Sequence, residues 1–135
     1  MILADTSIWI DHFRGGDNEL IKIIGDDLLL CHPAIVGELA LGSLRDRTSV
    51  LAFLNVQREA VVATHDDVMT MIEKHCIFSM GIGYTDAHLL ASVLLDRRTS
   101  LWTRDKRLKV VARPASGLFT SPSSDMESIA EASSE

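Results

Sequence analysis

Apolar residues run unbroken through Met1-Ile2-Leu3-Ala4 and stop at Asp5. Four residues are too few for periodicity to choose between strand and helix. Asp5-Thr6-Ser7 then offers capping side chains, and Ile8, Trp9, Ile10 and Phe13 follow at helical spacing. The pattern predicts a strand, a tight turn and a helix, which Gly15-Gly16-Asp17-Asn18 closes. A short helix over 19–25 and a buried strand at Leu28-Leu29-Leu30-Cys31 come next. Pro33 suits the first turn of a further helix, with Ile35, Leu39 and Gly42 along one face. Another helix is expected over 47–57, and the run Ala60-Val61-Val62-Ala63 reads as a strand. Thr64 to Asp67 has the form of a helix start, and the stripe Val68, Met71, Ile72, Cys76 extends that helix to about Met80. Gly81-Ile82-Gly83 ends it. A helix restarts near Thr85 with Leu89, Leu90, Val93 and Leu94 inward. Ser100-Leu101-Trp102-Thr103 is a strand, and 107–112 supplies a last helical turn or two.

Strands alternating with helices predict an α/β sandwich around a mostly parallel sheet. In such sheets ligands gather at the carboxyl ends of the strands. The 135 residues suit one domain, which is large enough to hold together without disulfides or a structural metal. The expected division is a folded domain over 1–119 and a Ser- and acid-rich C-terminal tail over 120–135. The two cysteines, Cys31 and Cys76, fall in apolar runs and are read as core residues, as are Trp9 and Trp102. Met69, Met71 and Met80 are read as core or as filler for a partner groove. So few cysteines, no signal-peptide pattern and no apolar run of about 20 residues point to a cytoplasmic protein with no membrane partner.

Four carboxylates stand out against this frame. Asp5 ends the first strand, and Asp105 follows the last one. Glu38 is flanked by apolar residues on its helix, so it is expected to face inward and to need a partner. Asp86 is in phase with Leu89, Leu90 and Val93. Each has an ordinary structural explanation taken alone, as a cap, a salt-bridge member or a turn residue. Together they can meet at one strand edge. Two bare carboxylates about 4 Å apart repel by about 4 kcal/mol at an effective dielectric of 20, so the cluster calls for cations. Oxygen ligands without His or Cys select Mg²⁺ or Mn²⁺, ions that activate water and neutralise phosphate charge.

These residues, with their surroundings, resemble a known family. Asp5-Thr6-Ser7 followed by Trp9-Ile10-Asp11-His12-Phe13-Arg14 looks like the opening of PIN-domain ribonucleases of the VapC toxin type. Val36-Gly37-Glu38-Leu39, Tyr84-Thr85-Asp86-Ala87-His88-Leu89-Leu90-Ala91 and Leu101-Trp102-Thr103-Arg104-Asp105-Lys106-Arg107-Leu108 match its second, third and fourth acidic positions. Each motif is weak alone, and four in order over about residues 1–110 are specific. The resemblance implies a PIN-like α/β/α sandwich with a mostly parallel sheet of four to five strands. It implies a Mg²⁺- or Mn²⁺-dependent endoribonuclease acting as the toxin of a type II toxin–antitoxin pair. Asp5, Glu38, Asp86 and Asp105 would bind metal and position the attacking water, supported by Thr6 and Thr103. The implied partners are a VapB-like antitoxin, an RNA substrate and a second copy of the chain. Two other readings stay open: an acid-pocket phosphohydrolase of doubly wound type, which the Ser7 two residues past Asp5 weakens, and an inactive PIN-like binding module.

The formal net charge of −6 speaks against RNA only at first sight. The tail 120–135 holds four acidic residues and no basic one, leaving a net of −2 over 1–119. Seven basic residues against two acidic ones lie between Asp96 and Arg113, bracketing Asp105. Arg104, Lys106 and Arg107 are the candidate phosphate contacts.

Overall fold

The computed structural model describes residues 1–112. The expected domain end at 119 and the tail 120–135 lie outside the described residues.

Three short strands form a parallel sheet of order β2-β1-β3: β1 (Ile2–Ala4), β2 (Leu29–Leu30) and β3 (Ser100–Trp102). Ile2 and Leu3 pair with Leu29 and Leu30 on one side, and Ile2, Leu3 and Ala4 with Ser100, Leu101 and Trp102 on the other. The central strand is apolar throughout because neighbours cover both of its faces, the usual state of a parallel sheet. Leu3, Ala4, Leu101 and Trp102 are buried. Helices α1 (Thr6–Gly15) and α2 (Asn18–Gly25) connect β1 to β2. Helices α3 (Pro33–Leu41), α4 (Arg47–Asn55), α5 (His65–Lys74) and α6 (Tyr84–Leu95) lead from β2 to β3, and α7 (Lys106–Ala112) follows. The chain leaves β1 toward one side and returns on the other at β3. The carboxyl end of β1 is therefore where a ligand site is expected.

The core gathers Trp9, Ile8, Leu20, Ile35, Leu54, Leu89, Leu90 and Leu108 around the sheet. Trp9 and Trp102 belong to it as expected. Among the methionines Met71 is buried, whereas Met69 and Met80 are exposed. No helix of the described residues is long and apolar enough to cross a membrane.

The structure corrects the sequence reading in four places. The sheet of the described residues has three strands, not four to five. The strand expected at 60–63 reduces to one parallel bridge between Cys31 and Glu59, with backbone hydrogen bonds from Cys31 N to Arg58 O and from Ala60 N to Cys31 O. Pro33 starts α3 just beyond Cys31, which removes the extended partner that Val61 and Val62 would need. These two valines are half exposed. Helix α5 stops at Lys74, six residues short of Met80. Cys76 takes a left-handed conformation (φ 53°), Ile77 N–H donates to Ile72 O and Cys76 N–H to Glu73 O. This is a Schellman close with cysteine where glycine is usual. The same geometry ends α2, with Asp27 left-handed (φ 56°) and Leu28 N–H donating to Ile23 O. That turn also exposes Cys76, so only Cys31 is a core cysteine.

The two thiols should therefore differ in reactivity. Burial pushes the Cys31 thiol up to about 11, which withholds the thiolate as well as access. Thiol titration of the native protein with a chromogenic disulfide should release one equivalent promptly, from Cys76, and the second only on unfolding. Mass spectrometry of the labelled peptides checks the assignment.

Candidate active site

Asp5 follows directly on β1, and its own N–H extends the sheet by donating to Trp102 O at 3.0 Å. Its backbone is extended (φ −79°, ψ 179°), the conformation of an N-cap, so the carboxylate turns back over the first turn of α1. Oδ1 accepts from Ser7 N–H at 3.0 Å, from Ile8 N–H at 3.4 Å and from the Ser7 hydroxyl at 2.5 Å. Oδ2 accepts from the Thr103 hydroxyl. The residue is 3% exposed. Burial pushes its carboxyl pKa upward, and the hydrogen bonds from Ser7, Thr103 and Ile8 oppose the rise without cancelling it.

Thr103 carries this lock across to β3. It is fully buried, and its oxygen also accepts from Asp105 N–H at 3.0 Å. Asp105 is exposed. It caps α7 by accepting from Leu108 N–H at 3.0 Å through Oδ1. Arg104 N–H donates to the Ser7 hydroxyl at 3.0 Å, so the turn after β3 is tied to the turn after β1 at two points.

Glu38 departs from expectation. It is exposed on α3, and its partner is not an arginine. The Thr6 hydroxyl donates to Glu38 Oε2 at 2.9 Å, linking α1 to α3. Asp86 lies in the first turn of α6 and is half-buried. Its carboxyl is pushed up by burial first; a backbone hydrogen bond at Gly83 lowers it, and the charges of Asp5, Asp105 and Glu38 each raise it further. The four carboxylates thus share one electrostatic neighbourhood. Exposure of Glu38 and Asp105 lets solvent screen part of their repulsion. Among the described residues no three acidic, histidine or cysteine side chains converge tightly enough, as placed, to enclose an ion. The donor set of carboxylates and hydroxyls, without His or Cys, fits a hard divalent cation in chemistry.

The basic residues divide. Arg104 binds Asp11 at 2.8 Å and Asp17 through its other amino group, and it lies over the Trp102 ring at 5.5 Å. Burial would raise the Asp17 carboxyl, but hydrogen bonding and charge from Arg104 hold it below the usual range. Arg104 therefore braces the β3–α7 turn against α1 and the start of α2. Lys106 and Arg107 are exposed at the start of α7, with Arg107 lying against Gly81: a Cβ there would stand 2.9 Å from its Cδ.

The sequence reading included Ser7 in the capping turn but did not place it among the residues that support Asp5, to which its hydroxyl and N–H both donate. It also missed Asp11 and Asp17 as the partners of Arg104, which only the fold brings near. A cavity of about 670 Å³ opens beside the cluster, lined by Thr6, Glu38, Ile10, Phe13, Leu39 and Arg45 among others.

Two outcomes follow from this geometry. Thr103→Val leaves a buried carboxylate short of a donor and Asp105 N–H short of an acceptor; it should cost about 1–3 kcal/mol in denaturant unfolding. Asp86→Asn should raise the melting temperature of the metal-free protein at neutral pH. Wild-type Asp86 has a folded pKa above its unfolded one, so its ionisation costs stability as pH rises through that interval. The advantage of the variant should shrink as the pH falls below it, which calorimetry across a pH series checks.

Comparison with known proteins agrees with this architecture. The family model described as PIN domain matches residues 2–114. Two relatives named Ribonuclease VapC32, from Mycobacterium tuberculosis strains CDC 1551 / Oshkosh and ATCC 25618 / H37Rv, are each 47% identical over 109 residues, covering 81% of this chain and 88% of theirs. The chain belongs to the VapC family of PIN-domain ribonucleases.

Proposed function

We propose that this protein is a Mg²⁺- or Mn²⁺-dependent endoribonuclease that acts as the toxin of a type II toxin–antitoxin pair. The observation that carries the reading is the shared field at Asp86, where Asp5, Asp105 and Glu38 all act on one half-buried carboxyl. The family membership and the relatives' name support the ribonuclease activity. Such a cluster is favourable only with positive charge among its members.

Asp5, Asp86, Glu38 and Asp105 would hold the cation. Bound there, such an ion would supply a nucleophile from water at neutral pH and would neutralise charge on the scissile phosphate. The chain's own residues do the positioning. Ser7 and Thr103 fix the Asp5 carboxylate, Thr6 holds Glu38, and the α7 cap orients Asp105. Lys106 and Arg107 track the RNA backbone. Arg104 serves the turn itself, because Asp11 and Asp17 already engage its guanidinium.

The cavity beside Glu38 supports a VapB-like antitoxin as partner, since its exposed Ile10 and Phe13 can receive apolar side chains close to that carboxylate. The exposed Leu41, Val56, Leu95 and Val110 supply apolar surface for a second copy of the chain. The folded nuclease domain is assigned to 1–119, with 120–135 as its tail.

The test is cleavage of structured RNAs by the purified, antitoxin-free chain. Activity should require Mg²⁺ or Mn²⁺, vanish with EDTA, and fall by about 10²-fold or more in Asp5→Asn and Asp86→Asn, the scale on which removal of a transition-state charge stabiliser is felt. Cleavage that resists EDTA, or products ending only in 2′,3′-cyclic phosphate, would sink the metal-hydrolysis reading. Replacing Lys106 and Arg107 by alanine should weaken RNA binding and flatten the slope of log K against log salt by roughly 2. Arg104→Ala should cost stability instead, about 1 kcal/mol or less for an exposed network, read from urea unfolding.

A further inference from the structure

A further cavity, of about 240 Å³, opens where the α5–α6 connection meets the start of α6. Buried Ile77 and Ala87 line it from the core, with Ile72 and Ile82 partly buried beside them. Phe78 and Tyr84 line it too, and they are 55% and 48% exposed. A single exposed aliphatic residue is ordinary on a protein surface, but two aromatic residues held open around one hollow call for an occupant.

The connection is built to hold this shape. Helix α5 ends at Lys74, and Cys76, Ser79 and Gly81 then take left-handed conformations (φ 53°, 61° and 79°). Cys76 and Ser79 do so against the preference of any residue with a Cβ. Tyr84 is fixed as well, its hydroxyl 2.6 Å from Nδ1 of His65 on α5. A ring held in place beforehand loses little entropy when a ligand stacks on it.

The cavity adjoins both charged features of the proposed site. Gly83 lines it, and the backbone of Gly83 hydrogen-bonds the Asp86 carboxyl. Gly81, between the lining residues Ser79 and Ile82, carries Arg107 on its backbone: a Cβ there would stand 2.9 Å from Cδ and 3.3 Å from Nε. A glycine is needed for that approach as well as for the positive φ. Among the described residues Arg107 has no carboxylate partner, so its guanidinium is available to a phosphate.

Size and chemistry together select the occupant. Sites for drug-sized ligands run to roughly 300–1,000 Å³, and this one is smaller. It has room for one planar ring system, and not for the row of side chains that a partner helix inserts into a groove. Aromatic residues beside an available cation match the two halves of a nucleotide, the flat base and the phosphate.

We propose that this hollow receives one unpaired nucleobase of the RNA, stacked on Phe78 and Tyr84, while Arg107 takes an adjoining phosphate. The identity of the polymer rests on the ribonuclease reading above. The base site narrows that reading: the RNA is single-stranded where it touches the α5–α6 connection, because a paired base cannot enter. Gly83 links the base site to Asp86, so the same contact sets which phosphate is presented to the carboxylates.

The probe is an oligouridylate of ten residues with one central 2-aminopurine, titrated with the full chain in EDTA so that binding is read apart from metal and cleavage. Stacking quenches 2-aminopurine, and its emission should fall on binding. Phe78→Ala should remove most of that quenching and weaken binding by about tenfold, within the range for one stacked base. Phe78→Trp should restore both. Phe78 is exposed, so neither change reaches the core. Arg107→Ala should instead lower the slope of log K against log salt by roughly 0.7, the value per phosphate of a single strand, and leave the bound base quenched. Absence of binding, binding without quenching, or quenching that survives Phe78→Ala overturns the base site. An unchanged RNA affinity with an altered sedimentation coefficient in Phe78→Ala also overturns it and gives the surface to a second copy of the chain. A parallel assay of structured RNAs with Mn²⁺ separates the two readings. Cleavage there with no quenched base overturns the base site alone, whereas quenching with no cleavage overturns the ribonuclease reading and leaves an RNA-binding site.

Discussion

A buried carboxylate at the end of the central strand organises this protein. Asp5 is nearly inaccessible, and an ionisable group in that position survives only by collecting donors. It collects them from two places: the first turn of α1, through Ser7 and Ile8, and the end of β3, through Thr103. The requirement for donors therefore does structural work. It bends the chain sharply from β1 into α1 and pins β3 beside β1 with its following turn toward the same edge. Asp105 arrives at the site because Thr103, one bond from Asp5, also receives the Asp105 N–H. Thr6, placed by the same α1 turn, reaches Glu38 on α3. One desolvated acid thus sets the location of two companions, Asp105 and Glu38, and the packing of α6 brings in Asp86.

The parts of this arrangement that depend on local chemistry were legible in the sequence. Asp5 at the end of an apolar run, Asp86 in phase with an apolar helix face and Asp105 past a strand all sit where the pattern put them. Thr6 and Thr103 touch carboxylates of the cluster. Glu38 was legible as a residue and misread as an environment. Its apolar neighbours suggested an inward face, but α3 is short and apolar on most sides, so flanking residues do not reveal which way the carboxylate points. The helix ends were illegible for a related reason. Schellman turns usually advertise themselves with glycine, and here Asp27 and Cys76 take the left-handed position. The stripe through Cys76 pointed to a longer helix because nothing in residue type announced its end.

Long-range pairing was the other hidden layer. Arg104 stands in a basic stretch, and charge counting made it a phosphate contact. The fold places Asp11 and Asp17, remote in sequence, around its guanidinium. The strand expected at Ala60–Ala63 failed similarly: β-branched residues favour extended backbone, but a strand needs a neighbour of matching length, and α3 takes the chain away after Cys31. Propensity is local, whereas pairing is a property of the assembled sheet.

The distribution of charge joins the site to its proposed substrate. The total of −6 would repel RNA if it were spread over the surface. It is not spread evenly. Four acidic residues lie in the segment 120–135, and Asp5, Asp105 and Glu38 bring their negative charge to bear on Asp86. Arg104 is spent on Asp11 and Asp17, which removes one cation and two anions from the field that an approaching polyanion meets. Lys106 and Arg107 remain exposed at the first turn of α7, next to Asp105. A phosphate approaching there meets two cations at the rim and a carboxylate cluster behind them. Without positive charge in that cluster the backbone would be held at the rim and repelled from the centre. A divalent ion held by the carboxylates would reverse the gradient, so that rim and centre would attract the same phosphate. On the proposed reading, metal dependence should extend to productive binding as well as to bond cleavage.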